Sequence, residues 1–528
     1  MMCLLPVLSY AEVHYRFKFF FNWLHRAQPE IIADVPQRVQ AGKPVPLLVV
    51  IKDAHRYPIT LTRISALIDQ KNVFQQEFNR SFDRLYQDVI VRIPPEYFTP
   101  GEHRINVKIE YRIGDRVVVC YNDNYRTTSH APLVVRITEQ NYPRFENCFF
   151  GDLHVHTNYT TDQIEFGASL KATVQMAQAL ELDFIAVTDH SYDLDDDPND
   201  YLSNDPDLPK WRRFQAEVAE VNQNENEFCV LPGEEVSVRN EQGRNIHLLI
   251  FNHDRFIPGS GDSGERWLRF YSEHSLNEAL AQLDDRAAAF GAHPAARTPL
   301  LQKWFIHRGD WTNADMRAPG LHGLQFLNGA DRAEERRGLL LWKNLLLAGK
   351  KLFILAGNDA HGNFSRTRQI GVPFVNIAEN QQHLLGAWRT GLFLSPGKLT
   401  QQRLIAGLKS GNYFVTNGPA VRIAAKTAGR KFVMGSNCPL PEELTVEALS
   451  SPEFGALTKI TVLAGIAGQK EERIVFSAEP GTFTFSQKIV VPGGEPILYF
   501  RAQAESRNDR AYTGYTNPIW IETEHKAD

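Results

Sequence analysis

Apolar and polar positions alternate with period two from about 31 to 135, in runs such as VPLLVVIKDAHRYPITLTRISALI, RINVKIEYRIGDRVVVCYND and APLVVRITE. β-Branched residues fill the apolar positions, and clusters of Asp, Asn, Gly and Pro separate the runs. This pattern predicts antiparallel strands and a β-sandwich of roughly 100 residues. From Phe149 the grammar changes. Short apolar runs alternate with helix-period stretches: GDLHVHT, SLKATVQMAQALEL, DFIAVTDH, WRRFQAEVAEVNQN and EFCVLPGEEVSV, then NEALAQLDDRAAA, FGAHP, GLQFLNG, a helix over 332–348 and KLFILAGNDAHG. Such alternation predicts parallel strands with helical crossovers, in an α/β barrel or an open sheet. Segments 193–209 and 254–265 read as surface loops. Beyond LIAGLKSGNYFVTNGPA period two returns, in RIAAK, LTVEALS, KITVLAG, RIVFSA, FTFSQKIVV and NPIWIET, and predicts a second sandwich. The expected organisation is therefore a β-sandwich-like domain at 1–145, a β/α domain at 146–420 and a β-sandwich-like domain at 421–528, with no fixed-period repeat.

Composition narrows the function classes. At 528 residues the chain exceeds one hydrophobic core. Lys and Arg number 57 against 62 Asp and Glu, a net charge of -5, so no basic excess exists to coat nucleic acid. No stretch approaches the ~20 apolar residues of a membrane span. Cys3, Cys120, Cys148, Cys229 and Cys438 are odd in number and scattered, which argues against a disulfide scaffold or a thiolate zinc site. The apolar run at 4–8 is short, contains Pro6 and lacks a basic lead-in, so the chain is expected to be cytoplasmic. The aromatic stretch 19–24 reads as a docking element or a buried first element.

What stands out is where the 17 histidines fall. His154 and His156 in GDLHVHT are two apart, which on a strand points both imidazoles to one face. Thr160, Thr161 and Asp162 follow in a loop. Asp189 and His190 end one apolar run, Glu234 and Glu235 sit in another, His247 lies in NIHLLIF, His293 ends FGAHP, and Asp359 and His361 end LFILAGNDAHG. Taken singly, each has a structural explanation as a core or turn residue. Together, so many ionisable groups at strand ends are costly to desolvate without a partner, and metal ions supply one. Imidazole and carboxylate donors suit Zn, Mn or Fe.

These motifs, in this order, resemble those of the PHP (polymerase and histidinol phosphatase) superfamily of metal-dependent phosphoesterases. The resemblance covers about 149–419, and LKSGNYFVTNGP is similar to its CehA/McbA-type, carbaryl-hydrolase-like branch. It implies a distorted (β/α)7 barrel carrying two or three divalent metals, flanked here by the two β-sandwich-like domains. It further implies His154, His156, Asp162, His190, Glu235, His247, His293, Asp359 and His361 as ligands. Glu235 is selected over Glu234 and bridges two ions, and Asp162 and His190 complete the more exposed position beside the substrate. The implied activity is hydrolysis of a phosphoester or a related carbamate or carboxyl ester, on a small and possibly anionic substrate. Asp152 and Asp189 are candidates for orienting imidazoles. Arg239, Arg244, Arg297 and His322 are candidate anion clamps, and Asn328 and Asn417 candidate lining residues. Two other expectations compete: an amidohydrolase-type deacetylase or deaminase, and a binding or adhesion protein whose β modules do the work while the central segment serves as scaffold.

Overall fold

The computed structural model of the protein describes residues 28–522 apart from 125–129, 161–166, 199, 262–269, 299, 330, 367–368, 373–374, 379–382 and 492–495. Near the N-terminus, Val45–Lys52 is buried along its whole length and pairs antiparallel with Glu30–Asp34 on one side and Tyr86–Ile93 on the other. A second sheet is built around Ile59–Ile68 and Gly101–Ile113. Ile59–Ile68 turns into Lys71–Phe82 through Asp69 and Gln70, whose φ values of 48° and 68° match the type I′ geometry of a tight hairpin. Ile31, Leu47, Ile51, Ile64 and Val107 close a common core between the two sheets.

The remainder is dominated by one 16-stranded sheet. Its order runs Phe353–Gly357, Gly323–Asn328, Ala288–Gly291, Asn245–Phe251, Cys229–Arg239, Phe184–Val187, Cys148–His156, Arg389–Phe393, Tyr413–Thr416, then Ala511–Thr516, Ile497–Arg507, Leu457–Ile466 and Arg473–Ala478. The short strand Ala360–His361 returns to pair in parallel with the end of Cys148–His156, opposing His361 to His156.

The expected (β/α)7 barrel is not what forms. Strands make up 45% and helices 16%, and the helices do not build a barrel wall. The connections explain why. A parallel crossover needs a dozen or more residues, and only 240–244 separate Cys229–Arg239 from Asn245–Phe251. These two strands form an antiparallel hairpin, and Ala288–Gly291 is again antiparallel to Asn245–Phe251. Cys148–His156 meets Arg389–Phe393 antiparallel. Tyr413–Thr416 pairs with Ala511–Thr516, so strands from the C-terminal region extend the same sheet.

The helices that do form obey ordinary rules. Leu170–Ala179 starts at Ser169, whose hydroxyl accepts from the Ala172 amide, and Arg332–Leu347 starts at Asp331, which caps Ala333 and Glu334. Trp211, Phe214 and Val218 give Pro209–Asn224 its buried stripe. Among the described residues no helix is long and apolar enough to cross a membrane, and Cys120, Cys148, Cys229 and Cys438 are buried free thiols.

Candidate metal centre

At the end of Cys148–His156 the pleat brings His154 and His156 to the same side, with their Nε2 atoms 3.1 Å apart. Both approach Glu235 Oε2 at 3.4 Å and Asp359 Oδ1 at 3.3 and 3.1 Å. Glu235 lies on Cys229–Arg239, where alternation sends it into the cluster and Glu234 to the opposite face. Its neighbour across the hairpin is diagonal: Glu235 opposes Leu249 and Ser237 opposes His247, so Glu235 and His247 share a face. His247 Nδ1 lies 2.6 Å and His293 Nε2 3.0 Å from Glu235 Oε1, while His190 Nδ1 lies 3.0 Å from Oε2. The His361 ring stacks on His156 at 4.0 Å between centroids. Eight of the nine residues expected as ligands thus converge, and Asp162 lies outside the described residues.

Ligand-type atoms fall into three overlapping groups: His154, His156, Glu235 and Asp359; His156, His190 and His361; and Glu235, His247 and His293. Glu235, with one oxygen toward the first group and one toward the third, joins them.

The surroundings decide which ring nitrogens face the centre. Gln325 gives its amide NH2 to Asn328 Oδ1, so its Oε1 accepts, at 2.8 Å, from His154 Nδ1. His361 Nδ1 donates to the Asp359 carbonyl at 3.0 Å. Thr160 spends its hydroxyl proton on Asp189 and accepts from His156 Nδ1 at 3.3 Å. In these three rings Nδ1–H is given to a protein acceptor and Nε2 faces inward, as a cation requires. His361 Nε2 is buried without a hydrogen bond. Such an orphaned acceptor, with an all-nitrogen and oxygen donor set, fits divalent ions of the Zn, Mn or Fe kind.

The carboxylates and imidazoles also set one another's charge. Burial would raise Glu235 and Asp359, but the facing imidazoles hold both well below the usual carboxylate range. Burial would lower His156, but Asp359 and Glu235 lift it to about 10, so at neutral pH its Nε2 carries a proton that a bound cation would displace. Burial drives His361 well below its ordinary value and His293 down to about 4, keeping both neutral.

Two ligand-bearing turns carry backbone strain. His293 has φ 27° and Asp359 φ 52°, in the left-handed region that costs a non-glycine residue about 1–3 kcal/mol. Gly357 is required nearby, since a Cβ there would sit 2.7 Å from the Cβ of His154.

The other expected residues take different places. Asp189 reaches His156 only through Thr160, and binds the amides of Thr157 and Thr160, holding the turn after the strand. Asp152 touches no imidazole ring through its carboxylate; it accepts from the amides of His154, Asn358 and Gly386 and from the Asn358 side chain, and burial raises it to about 6. Glu234, raised by burial, accepts from the Ile257 amide. Arg239 bonds the Ser272 carbonyl and Arg244 that of Lys303, outside the cluster. His322 packs near Phe290, and Asn417 accepts from the Thr513 amide. Arg297 lines a cleft beside His247 and His293, together with Thr298, Arg308 and Asp310. Gln325, Thr160 and Arg308 were not singled out from the sequence. Gln325 and Arg308 are far in sequence from the rings they touch, and Thr160 was noted only as a loop neighbour of Asp162.

No family model matches the chain, and no curated protein matches it. Among solved structures, an FMN-binding β-glucuronidase from Facaelibacterium prausnitzii L2-6 aligns with 8% identity over 96% of this chain and 75% of that chain, at a TM-score of 0.20. A trypsin-activated α-2-macroglobulin from Escherichia coli aligns with 9% identity over 95% of this chain and 24% of that chain, at 0.17. Likenesses this remote carry no argument about what the protein does.

Proposed function

We propose that the protein is a metal-dependent hydrolase acting on a small, possibly anionic substrate, a phosphoester or a related carbamate or carboxyl ester. The observation that carries the reading is the convergence of His154, His156, His190, Glu235, His247, His293, Asp359 and His361, most of them buried, with three rings turned so that Nε2 points inward. The resemblance of the same motifs to the PHP superfamily supports it.

Two or three divalent ions, Mn, Zn or Fe, are the cofactors in this reading. When bound they supply Lewis acidity toward an ester oxygen and lower the pKa of water toward ~7. The chain's own residues do the positioning. Gln325 and the Asp359 carbonyl lock the His154 and His361 rings, and Asp189 holds Thr160 against His156. Glu235 offers one oxygen to each side of the cluster. His190, neutral through burial and stacked on Tyr192 at 4.6 Å, adds a nitrogen at the edge of the group. Asp162 is proposed to complete that same edge, next to the substrate.

The test is metal analysis of the purified full chain after loading with Mn or Zn, followed by assay on phosphomonoester, phosphodiester and aryl-ester panels. At least one tightly held equivalent and hydrolysis of one panel are expected. Less than one equivalent after loading overturns the reading.

A further inference from the structure

We propose that the guanidinium of Arg308 takes the place of a third metal ion, so that the Glu235–His247–His293 corner is closed by an internal cation. The inference rests on the metal-site reading above and specifies how many ions that site accepts.

Arg308 is held there by its backbone. The 307–309 segment bonds to both main-chain groups of Asn245, at the start of the strand that carries His247 two residues later. From this position Arg308 Nη1 lies 2.8 Å from His247 Nε2, and Nη2 lies 3.3 Å from Nδ1. A guanidinium only donates, and Nδ1 sits closer to Glu235 Oε1 than to Nη2, so the shorter contact, to Nε2, is the hydrogen bond and His247 Nε2 presents its lone pair there. A neutral His247 then carries its proton on Nδ1, and Glu235 Oε1 is 2.6 Å from that atom. Both ring nitrogens are committed: one accepts from Arg308, the other donates to Glu235. A ring in this state has no lone pair left for an ion.

The contrast with the other rings is chemical. His154, His156 and His361 each spend Nδ1–H on a protein acceptor and keep Nε2 for the centre. Among the described residues His247 is the ring of the cluster that meets a permanent cation. His293 Nε2 shares Glu235 Oε1 with His247, at 3.0 Å, so the guanidinium, two imidazoles and one carboxylate oxygen form one connected group. In this arrangement His247 is a positioning residue for Glu235, and the metals occupy the half of the site built from His154, His156, His190, Asp359 and His361. Arg308 also lines the cleft with Arg297.

The experiment measures Zn bound per folded chain by equilibrium dialysis and elemental analysis for the full-length protein, Arg308→Met and His247→Gln. The wild-type chain saturates at about two equivalents, Arg308→Met at about three, and His247→Gln stays at about two. Three tight equivalents in the wild type, no gain in Arg308→Met, or loss of an equivalent in His247→Gln each overturns the proposal while leaving a metal site standing. Less than one equivalent in every variant removes the metal reading and this inference with it. Should Arg308→Met not fold, the wild-type and His247→Gln values decide alone.

Discussion

His253, Asp254 and Asp284 bring ligand-type atoms together much as the central cluster does. The residue types are the same, but the surroundings are not. Asp254 and Asp284 are exposed, and Arg286 already bonds both, at 2.8 and 2.6 Å. Its hydrogen bonds lower the Asp284 pKa without help from any ion. At the centre, Glu235 is 1% exposed and His154 fully buried, and Glu235 faces imidazoles rather than water. A cation entering the peripheral group displaces a guanidinium and loses to solvent. One entering the half of the central group built on His154, His156 and His361, away from Arg308, meets rings already turned to present Nε2. Proximity of histidines and acids is therefore a weak signal; burial with rings oriented by neighbours is the strong one.

That contrast can be broken most forcefully at its hinge. Glu235→Gln removes the carboxylate that faces five imidazoles. Breaking a buried charge network costs about 3–5 kcal/mol, so metal affinity measured by competition with a chelator is expected to fall at least 100-fold, with hydrolysis lost alongside. Unchanged affinity would show that the central cluster is held together as a hydrogen-bonded core. Next comes Gly357→Ala, which drives a methyl against His154. Overpacking of this kind costs about 1–3 kcal/mol in chemical denaturation, and metal uptake is expected to drop with it. Gln325→Leu frees the His154 ring to turn while keeping side-chain volume. Loss of such an orienting partner lowers metal affinity by roughly 10–100-fold, read by the same chelator competition, with little change in the denaturation midpoint. The smallest effect belongs to the peripheral group. Asp254→Asn with Asp284→Asn is expected to leave metal stoichiometry unchanged and stability within about 0.5 kcal/mol. A lost equivalent in this double variant would overturn the distinction between the two clusters.

The sequence makes individual strands and strand ends readable, because period two is a local property. GDLHVHT announces two imidazoles on one face, and in GEEVS the same alternation separates Glu235 from Glu234. The connections are less legible. Only five residues separate Asn245–Phe251 from the strand before it, room for a hairpin and not for a helical crossover, and the long stretch before Ala288–Gly291 folds just one short helix, Leu276–Leu280, among its described residues. The pairing of Tyr413–Thr416 with Ala511–Thr516 was out of reach for a different reason: partners about a hundred residues apart leave no periodic trace. The same holds at the site. Gln325 stands 171 positions from His154, and Arg308 61 from His247. A ligand's type is local information, whereas the proton on its far nitrogen is set by a neighbour that only the fold supplies.

The long sheet has a consequence for how the chain is made. On the ribosome, Thr416 emerges about a hundred residues before Thr516, an interval of roughly 5–20 s at ordinary elongation rates. Through that time Tyr413–Thr416 has its Arg389–Phe393 neighbour on one side and nothing of its own chain on the other. It is a bare strand edge with Tyr413, Phe414 and Val415 along it, the kind of template that invites pairing between nascent chains. The strand made about a hundred residues later is thus the one that makes the earlier one safe. A chain truncated before Ala511 is expected to precipitate as it is made, even with every residue of the metal centre already translated.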